Sequence, residues 1–275
     1  MKPRKYLFLA FGAALVAVVA QQTGLFPILK SAVAIGRQPA GFYLLPTNQL
    51  LRPWGEQALI QGRPVDIAFD SRKRLVAVLN WRGILLLQSS AGVPYAEIPS
   101  RSTSYTGVAF RPGDREIWAS ETTRNGPDSI LIAELDELGR PGKTESIALP
   151  DHPVPAGIAF SPDGATAYVA FSRNNTLAVI DARARRIERE VPVGMAPFGV
   201  VVAAKQGKIF VTNRAGRRPA AGDTLAPSSG SQVVSDPRTG ATTTGTVSVL
   251  KVADLSAQEV PVGLHPSGLA LGPDE

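Results

Sequence analysis

Residues 156–171 read AGIAFSPDGATAYVAF, and the same pattern of residues returns several times along the chain. Close copies are TGVAFRPGDREIWASE at 106–121 and FGVVVAAKQGKIFVTN at 198–213, and a more divergent copy, VDIAFDSRKRLVAVLN, occupies 65–80. A shorter copy, SGLALGPDE, begins at 267. A repeat of this kind indicates one structural unit used several times, and its period indicates which unit.

Five equivalent positions follow from aligning the central aliphatic residue of each copy. These positions are Ile67, Val108, Ile158, Val200 and Leu269. Two of the four steps between them span 41 and 42 residues, which matches the roughly 40–45 residues of a four-stranded propeller blade. Two stacked β-sandwiches would also give many short strands, but they do not require such a repeat.

The copy at 156–171, with the residues that follow it, predicts four strands joined by turns. The predicted strands are 157–160, 167–171, 176–180 and 187–193. SPDG at 161–164 and RNN at 173–175 separate the first three, and Pro, Gly and Asn are turn-forming residues. The first strand alternates small with large residues, which indicates burial on both faces, as in the innermost strand of a blade. We therefore expect an all-β fold, a β-propeller with four complete four-stranded blades and the start of a fifth.

Composition and charge exclude some functions. The 275 residues include no Cys, so a disulfide or a thiolate metal site is excluded. Three of the positive residues behind the net charge of +6 are Lys2, Arg4 and Lys5. The other charges are interspersed, and we expect no nucleic-acid partner. The three Trp residues, Trp54, Trp81 and Trp118, fit packing positions.

The N-terminus has the layout of an export signal. The positive residues precede an apolar run that ends in small residues near position 20, and this is typical of a secretory signal peptide. An uncleaved membrane anchor is the alternative. We expect a signal peptide at 1–20, a lead-in segment at 21–61 and a partial propeller at 62–275. Within the lead-in, residues 49–60 could form the strand that closes the propeller ring. The protein would then be periplasmic or extracellular.

The repeats resemble the YVTN family of bacterial β-propellers. The matching motifs are VGMAPFGV at 193–200, VGLHPSGL at 262–269, PDG at 162–164, YVA at 168–170, LAVID at 177–181 and FVTN at 210–213. The resemblance covers roughly 62–275 and implies the fold. It implies little about activity, because one scaffold carries many functions.

A narrower resemblance concerns the segment 214–245, which is similar to a loop of YVTN propellers fused to an alkaline-phosphatase-type phosphoesterase domain. The segment 36–55 is similar to what precedes the first blade in those proteins. There the metal ligands and the nucleophile lie in the C-terminal domain, so no catalytic residue carries over to this sequence. The blade that starts at Ser267 has one strand. We therefore expect a truncated larger propeller, the N-terminal portion of a longer protein.

Most of the distinctive loops lie at one end of the predicted propeller. The turns after the second and fourth strand of each blade share that end, and the long segment 214–245 is among them. We expect a ligand or protein partner, or a C-terminal domain of the same protein, to bind there; a solvated loop is the alternative. The candidate binding residues are His152, Arg173, Asn213, Arg214, Arg217, Arg218, Asp223 and His265. For the two His residues an ordinary place in a loop is the alternative, and for Asn213 it is turn capping.

Two classes of function remain open. The first is a non-catalytic binding or assembly module, with no catalytic, metal or cofactor site. The second is a hydrolase or lactonase with its site at the axial mouth. Such an enzyme needs several oxygen ligands around one ion, and the innermost strands offer only one carboxylate, Asp66. This weighs against the enzyme.

Overall fold

The computed structural model describes residues 34–39, 41–52, 54–55, 57–124 and 126–275. The segment interpreted as an export signal lies outside the described residues. The described residues fall into two compact units, one that ends at Gln57 and one that runs from Ala58 to Glu275. Across the described residues, no helix is both long and apolar enough to cross a membrane.

The first unit holds a small antiparallel sheet of three two-residue strands. They are β1 (Gly36–Arg37), β2 (Tyr43–Leu44) and β3 (Leu50–Leu51), paired in that order. Of the segment 49–60 expected to close a propeller ring, Leu50 and Leu51 pair with β2 here. Ring closure stays a prediction.

The second unit contains four antiparallel sheets of four strands each, which we call blades one to four. Blade one is β4 (Asp66–Phe69), β5 (Leu75–Asn80), β6 (Gly83–Gln88) and β7 (Val93–Pro99). Blade two is β8 (Thr103–Phe110), β9 (Glu116–Glu121), β10 (Asp128–Leu135) and β11 (Pro141–Leu149). Blade three is β12 (Pro155–Phe160), β13 (Thr166–Phe171), β14 (Thr176–Asp181) and β15 (Arg186–Pro192).

Blade four is interrupted by an insertion between its second and third strands. It comprises β16 (Met195–Ala203), β17 (Lys208–Gly216), β20 (Gly245–Lys251) and β21 (Ala257–Val262). The insertion contains a separate hairpin, β18 (Leu225–Ser228) and β19 (Ser231–Val234). The expected all-β fold with four-stranded blades is thus confirmed, and the strands of blade three agree with the expected ones to within two residues.

Four of the five aligned aliphatic residues lie on the first strand of a blade. Ile67, Val108, Ile158 and Val200 lie on β4, β8, β12 and β16. Leu269 differs: it belongs to no strand, because its segment has no hydrogen-bonded strand partner among the described residues. That segment nevertheless approaches blade four, where the hydroxyl of Thr212 on β17 donates to the carbonyl of Ser267 at 2.9 Å.

Close approach between first strands explains why small residues alternate with large ones there. A Cβ on Gly157 would lie 2.5 Å from the carbonyl oxygen of Phe198 in the next blade. A Cβ on Gly199 would lie equally close, at 2.5 Å, to the carbonyl oxygen of Ser267. A side chain at either position would push neighbouring blades apart, so the small residues set the blade spacing.

The core consists of apolar layers between successive blades. Trp118 of blade two and Phe171 of blade three are both fully buried in one such layer. Equivalent layers join blades one and two, and blades three and four. Trp54 and Trp81 are exposed, the latter in the turn after β5, so the expectation that they pack in the core was wrong.

Candidate functional site

A pocket of about 360 Å³ opens at the loop-rich end of blades two to four. This volume lies within the range of small-molecule sites. Its walls come from the starts of first strands, the turns after second strands, the insertion and the segment after β21. They comprise Ser104, Tyr105, Val154, Ala156, Ser172, Arg173, Ala196, Phe198, Arg214, Ala215, Ser228, Ser229, Thr242 and His265. We call this cavity the mouth pocket.

Arg214 stands at the end of β17 and stacks on an aromatic ring. Its guanidinium carbon lies 4.6 Å from the centre of the Phe198 ring, within the range of a cation–π contact. Its Nε is buried and has no hydrogen-bond partner among the described residues. A buried donor without a partner is costly, so the protein does not fully satisfy this guanidinium.

Arg173 lies across the pocket, in the turn between β13 and β14. The tip of the insertion hairpin lies beside it: a Cβ on Gly230 would lie 3.0 Å from the Arg173 Nε. Neither Arg173 nor Arg214 forms an ion pair within the described part of the chain. No Asp or Glu lines the mouth pocket either. Its charge is therefore positive.

His265 completes the rim of the pocket. Its Nε2 lies 3.1 Å from the hydroxyl of Thr242 in the insertion, so which atom donates depends on the tautomer. The exposed side chain of Tyr105 lines the pocket as well. The structure thus brings together three of the sequence-derived candidates: Arg173, Arg214 and His265.

Three other candidates hold the insertion in place. Arg217 donates to both oxygens of Asp223, at 2.7 and 2.6 Å. The hydrogen bond from Arg217, and next the one from the amide of Ala220, lower the pKa of Asp223 to about 2. Arg218 donates to the carbonyls of Val193 and Asn175, at 2.9 and 2.7 Å. Arg218 thus links the insertion to the residues before it, the Arg217–Asp223 pair lies within the insertion, and none of the three lines the pocket.

The last two candidates have structural partners. Asn213 is buried within blade four and donates to the hydroxyls of Thr246 and Ser248. His152 lies 3.8 Å from the buried carboxylate of Asp128, whose oxygens also accept from Thr122 and the amide of Val154. Neither His152 nor Asn213 lines the mouth pocket.

Sequence reasoning missed the aromatic walls of the pocket, Tyr105 and Phe198. Phe198 was visible as the large residue before Gly199 in the VGMAPFGV motif, and its equivalence to the starts of other first strands could have indicated the mouth. Tyr105 had no such signal, because the connection before β8 does not repeat the motif.

A cleft at the opposite end, between blades one and two, provides a contrast. It measures about 220 Å³ and is lined by charges of both signs. Some of those charges pair with one another, as Arg74 with Asp70 and Arg115 with Glu137. In the mouth pocket, by contrast, neither arginine forms an ion pair within the described residues. In the described ranges, no cluster of three or more His, Asp or Glu is placed to hold a metal ion.

Comparisons with known proteins find similar structures but no matching family model or curated sequence. Among solved structures, it is similar to Kuenenia stuttgartiensis hydrazine synthase, with 17% identity, a TM-score of 0.60, and coverage of 85% of this chain and 64% of that one. By fold the chain is a β-propeller. It spans less than two thirds of the hydrazine synthase chain.

Two further structures are more distant. The Cps50 (Swd1) beta-propeller domain of Myceliophteria thermophila has 13% identity and a TM-score of 0.47, with coverage of 84% of this chain and 86% of that one. Apo AztD from Citrobacter koseri has 19% identity and a TM-score of 0.45, with coverage of 78% and 50%. At such identities the likeness concerns the fold.

Proposed function

We propose that this protein is an exported, non-catalytic β-propeller module that binds a small ligand or a protein partner at its loop-rich end. The mouth pocket carries the proposal, because three blades and the insertion converge on one concave site whose two arginines form no ion pair within the described residues. A pocket with apolar walls and a few converging polar groups is the usual form of a ligand site.

The hydrogen bonds of Asp66, the carboxylate on the innermost strands, favour a binding role over hydrolysis. Asp66 accepts hydrogen bonds from the Thr106 hydroxyl and from the amides of Gly107 and Val108, at 2.8, 2.7 and 3.2 Å. It therefore fastens blade one to blade two. A carboxylate engaged in this way is a poor candidate for a metal ligand or a general base.

An association with a phosphoesterase domain is a finer part of the proposal and rests on the resemblance of 214–245. In the structure this insertion packs against the propeller, since Val233 is buried beside Met195 and Ala215. An ordered insertion at the loop-rich end could support a neighbouring domain as well as cover the pocket. Export likewise rests on the sequence of the first 20 residues.

The binding face can be tested by filling it. Ser228→Trp places a large side chain on the exposed tip of the hairpin at the mouth pocket, whereas Arg183→Trp places the same group in the turn after β14 at the opposite end. A thermal-shift screen of anionic, neutral and cationic metabolites should yield ligands that stabilise the wild type and R183W but not S228W. Ligands that stabilise all three proteins equally would place binding elsewhere and overturn the proposal.

A further inference from the structure

The mouth pocket has an unusual charge balance for a cavity of its size. Two guanidinium groups line it, neither has an ion-pair partner in the described ranges, and no carboxylate lines it. Arginine is adapted to planar, two-point recognition of carboxylate and phosphate groups. The positive charge in this pocket is therefore available to a ligand.

The position of Arg214 strengthens this point. Its Nε is buried without a partner and its guanidinium stacks on the Phe198 ring. Stacking restricts the side chain to one plane, so its donors are oriented before a ligand arrives. Pre-orientation of this kind reduces the entropy that binding must overcome.

The apolar walls indicate more than a bare ion. Val154, Ala156, Ala196 and Ala215 line the same cavity as the two arginines. At about 360 Å³ the cavity exceeds what a single phosphate or carboxylate group fills. The remaining volume suits a compact organic group, and the exposed Tyr105 ring offers a surface for it.

We infer that the mouth pocket binds small organic oxyanions, in which a phosphate or carboxylate contacts Arg173 and Arg214 and the organic group lies against the apolar wall. This inference rests on the proposed function, because it assigns a ligand class to the same face. The hairpin tip at 228–230 then forms part of the wall beside the anion.

The test is calorimetry on the full chain with phenyl phosphate and benzoate as probes. Inorganic phosphate distinguishes a free ion from one carried on an organic group, and benzyl alcohol and benzylamine are the neutral and cationic counterparts. We expect both organic anions to bind, inorganic phosphate to bind more weakly, and the alcohol and amine not to bind. Equal binding of benzyl alcohol or benzylamine, tighter binding of inorganic phosphate, or no binding of either organic anion would overturn the inference.

Variants of the two arginines test which side chains contact the anion. Arg173→Gln and Arg214→Gln should each weaken phenyl phosphate binding by about tenfold or more, since each removes a charge-assisted hydrogen bond. Arg214→Lys keeps the charge and should retain part of the affinity. Arg115→Gln removes one positive charge at the opposite end and should have no effect. Thermal melts of each variant check folding, and equal weakening by R115Q would show a non-specific charge effect.

The outcomes separate this inference from the proposed function. A neutral metabolite that binds the wild type but not S228W would support binding at this face while refuting an oxyanion site. Anions that bind equally well to S228W would refute both.

Discussion

Arg185 of blade three holds its guanidinium carbon 5.2 Å from the centre of the Trp118 ring in blade two. The same group donates to Glu116 at 2.7 Å and to Glu145 at 2.9 Å, both in blade two. Trp118 itself donates to Glu116 at 3.0 Å. One side chain thus fastens two blades at the end opposite the mouth pocket, and the pocket's geometry depends on such blade contacts.

Removing this link should destabilise the protein. Burial tends to raise the pKa of Glu116, but hydrogen bonds from Arg185 and Trp118 and the charges of Arg185 and Arg111 lower it overall. Arg185→Met leaves that carboxylate with fewer partners, and we expect a loss of about 1–3 kcal/mol in the free energy of unfolding. Arg115→Met, which breaks an exposed pair with Glu137, should cost less than about 1 kcal/mol. Urea unfolding measures both, and equal costs would contradict the link.

The blade spacing can be tested at one glycine. Gly157→Ala places a Cβ 2.5 Å from the carbonyl oxygen of Phe198 and 2.9 Å from the amide nitrogen of Val200, both backbone atoms of blade four. We expect a loss of about 1–3 kcal/mol in the free energy of unfolding from overpacking. Gly142→Ala is the matched control on an outer strand, where the nearest atom would lie at 3.8 Å. If both variants unfold alike, close approach does not set the spacing.

The fold could be predicted from the sequence because a strand buried on both faces shows an alternation of small and large apolar residues. Gly157 and Ile158 alternate small with large residues for the reason that the structure gives, namely contact with the next first strand. The prediction for Leu269 was wrong in part: the pattern marks a residue suited to a first strand, but a strand also needs a hydrogen-bonded partner. Trp81 was misjudged because a turn position can expose a residue that composition alone would bury.

The site was only partly readable. Counting turns predicted that Arg173, Arg214 and His265 share one end of the propeller, and the three line one pocket there. The sequence could not show which charged side chains lack an ion-pair partner, because ion pairing depends on distances in the folded structure. Arg217 and Arg214 are alike in sequence context, yet Arg217 is bound to Asp223 and Arg214 is not in an ion pair within the described residues.

The hydrolase alternative predicts metal binding, and we expect none that is tight. Asp66, the carboxylate on the innermost strands, already accepts three hydrogen bonds from Thr106, Gly107 and Val108. A divalent ion would have to displace them and would find few further oxygen ligands. Calorimetry with Ca²⁺, Mg²⁺ and Zn²⁺ checks this. Micromolar binding that Asp66→Asn abolishes would revive the enzyme.

Export is predicted from the sequence alone. Residues 1–30 fused to a β-lactamase reporter should confer ampicillin resistance on a Gram-negative host, because the enzyme acts only after crossing the inner membrane. Replacing Lys2, Arg4 and Lys5 by Glu removes the positive region that a signal requires and should reduce resistance several-fold. Resistance that is absent with the native segment, or unchanged in the triple variant, would contradict the export signal.

Acid should loosen the start of the insertion, where Arg217 pairs with Asp223. The hydrogen bond from Arg217, and next that from the Ala220 amide, lower the pKa of Asp223 from 3.8 to about 2. The folded state therefore binds this proton less readily than the unfolded chain, so the stabilisation is complete above about pH 3.8 and is lost as the pH falls through about 2. The Ala220 amide, whose nitrogen lies 2.6 Å from the Asp223 carboxylate, gives an NMR signal that should titrate with a midpoint near 2. Asp223→Asn should abolish that titration and loosen the insertion at neutral pH, which weakens the binding of any ligand in the mouth pocket. A midpoint at the ordinary value of 3.8, or an unchanged insertion in D223N, would show that this ion pair does not order the insertion.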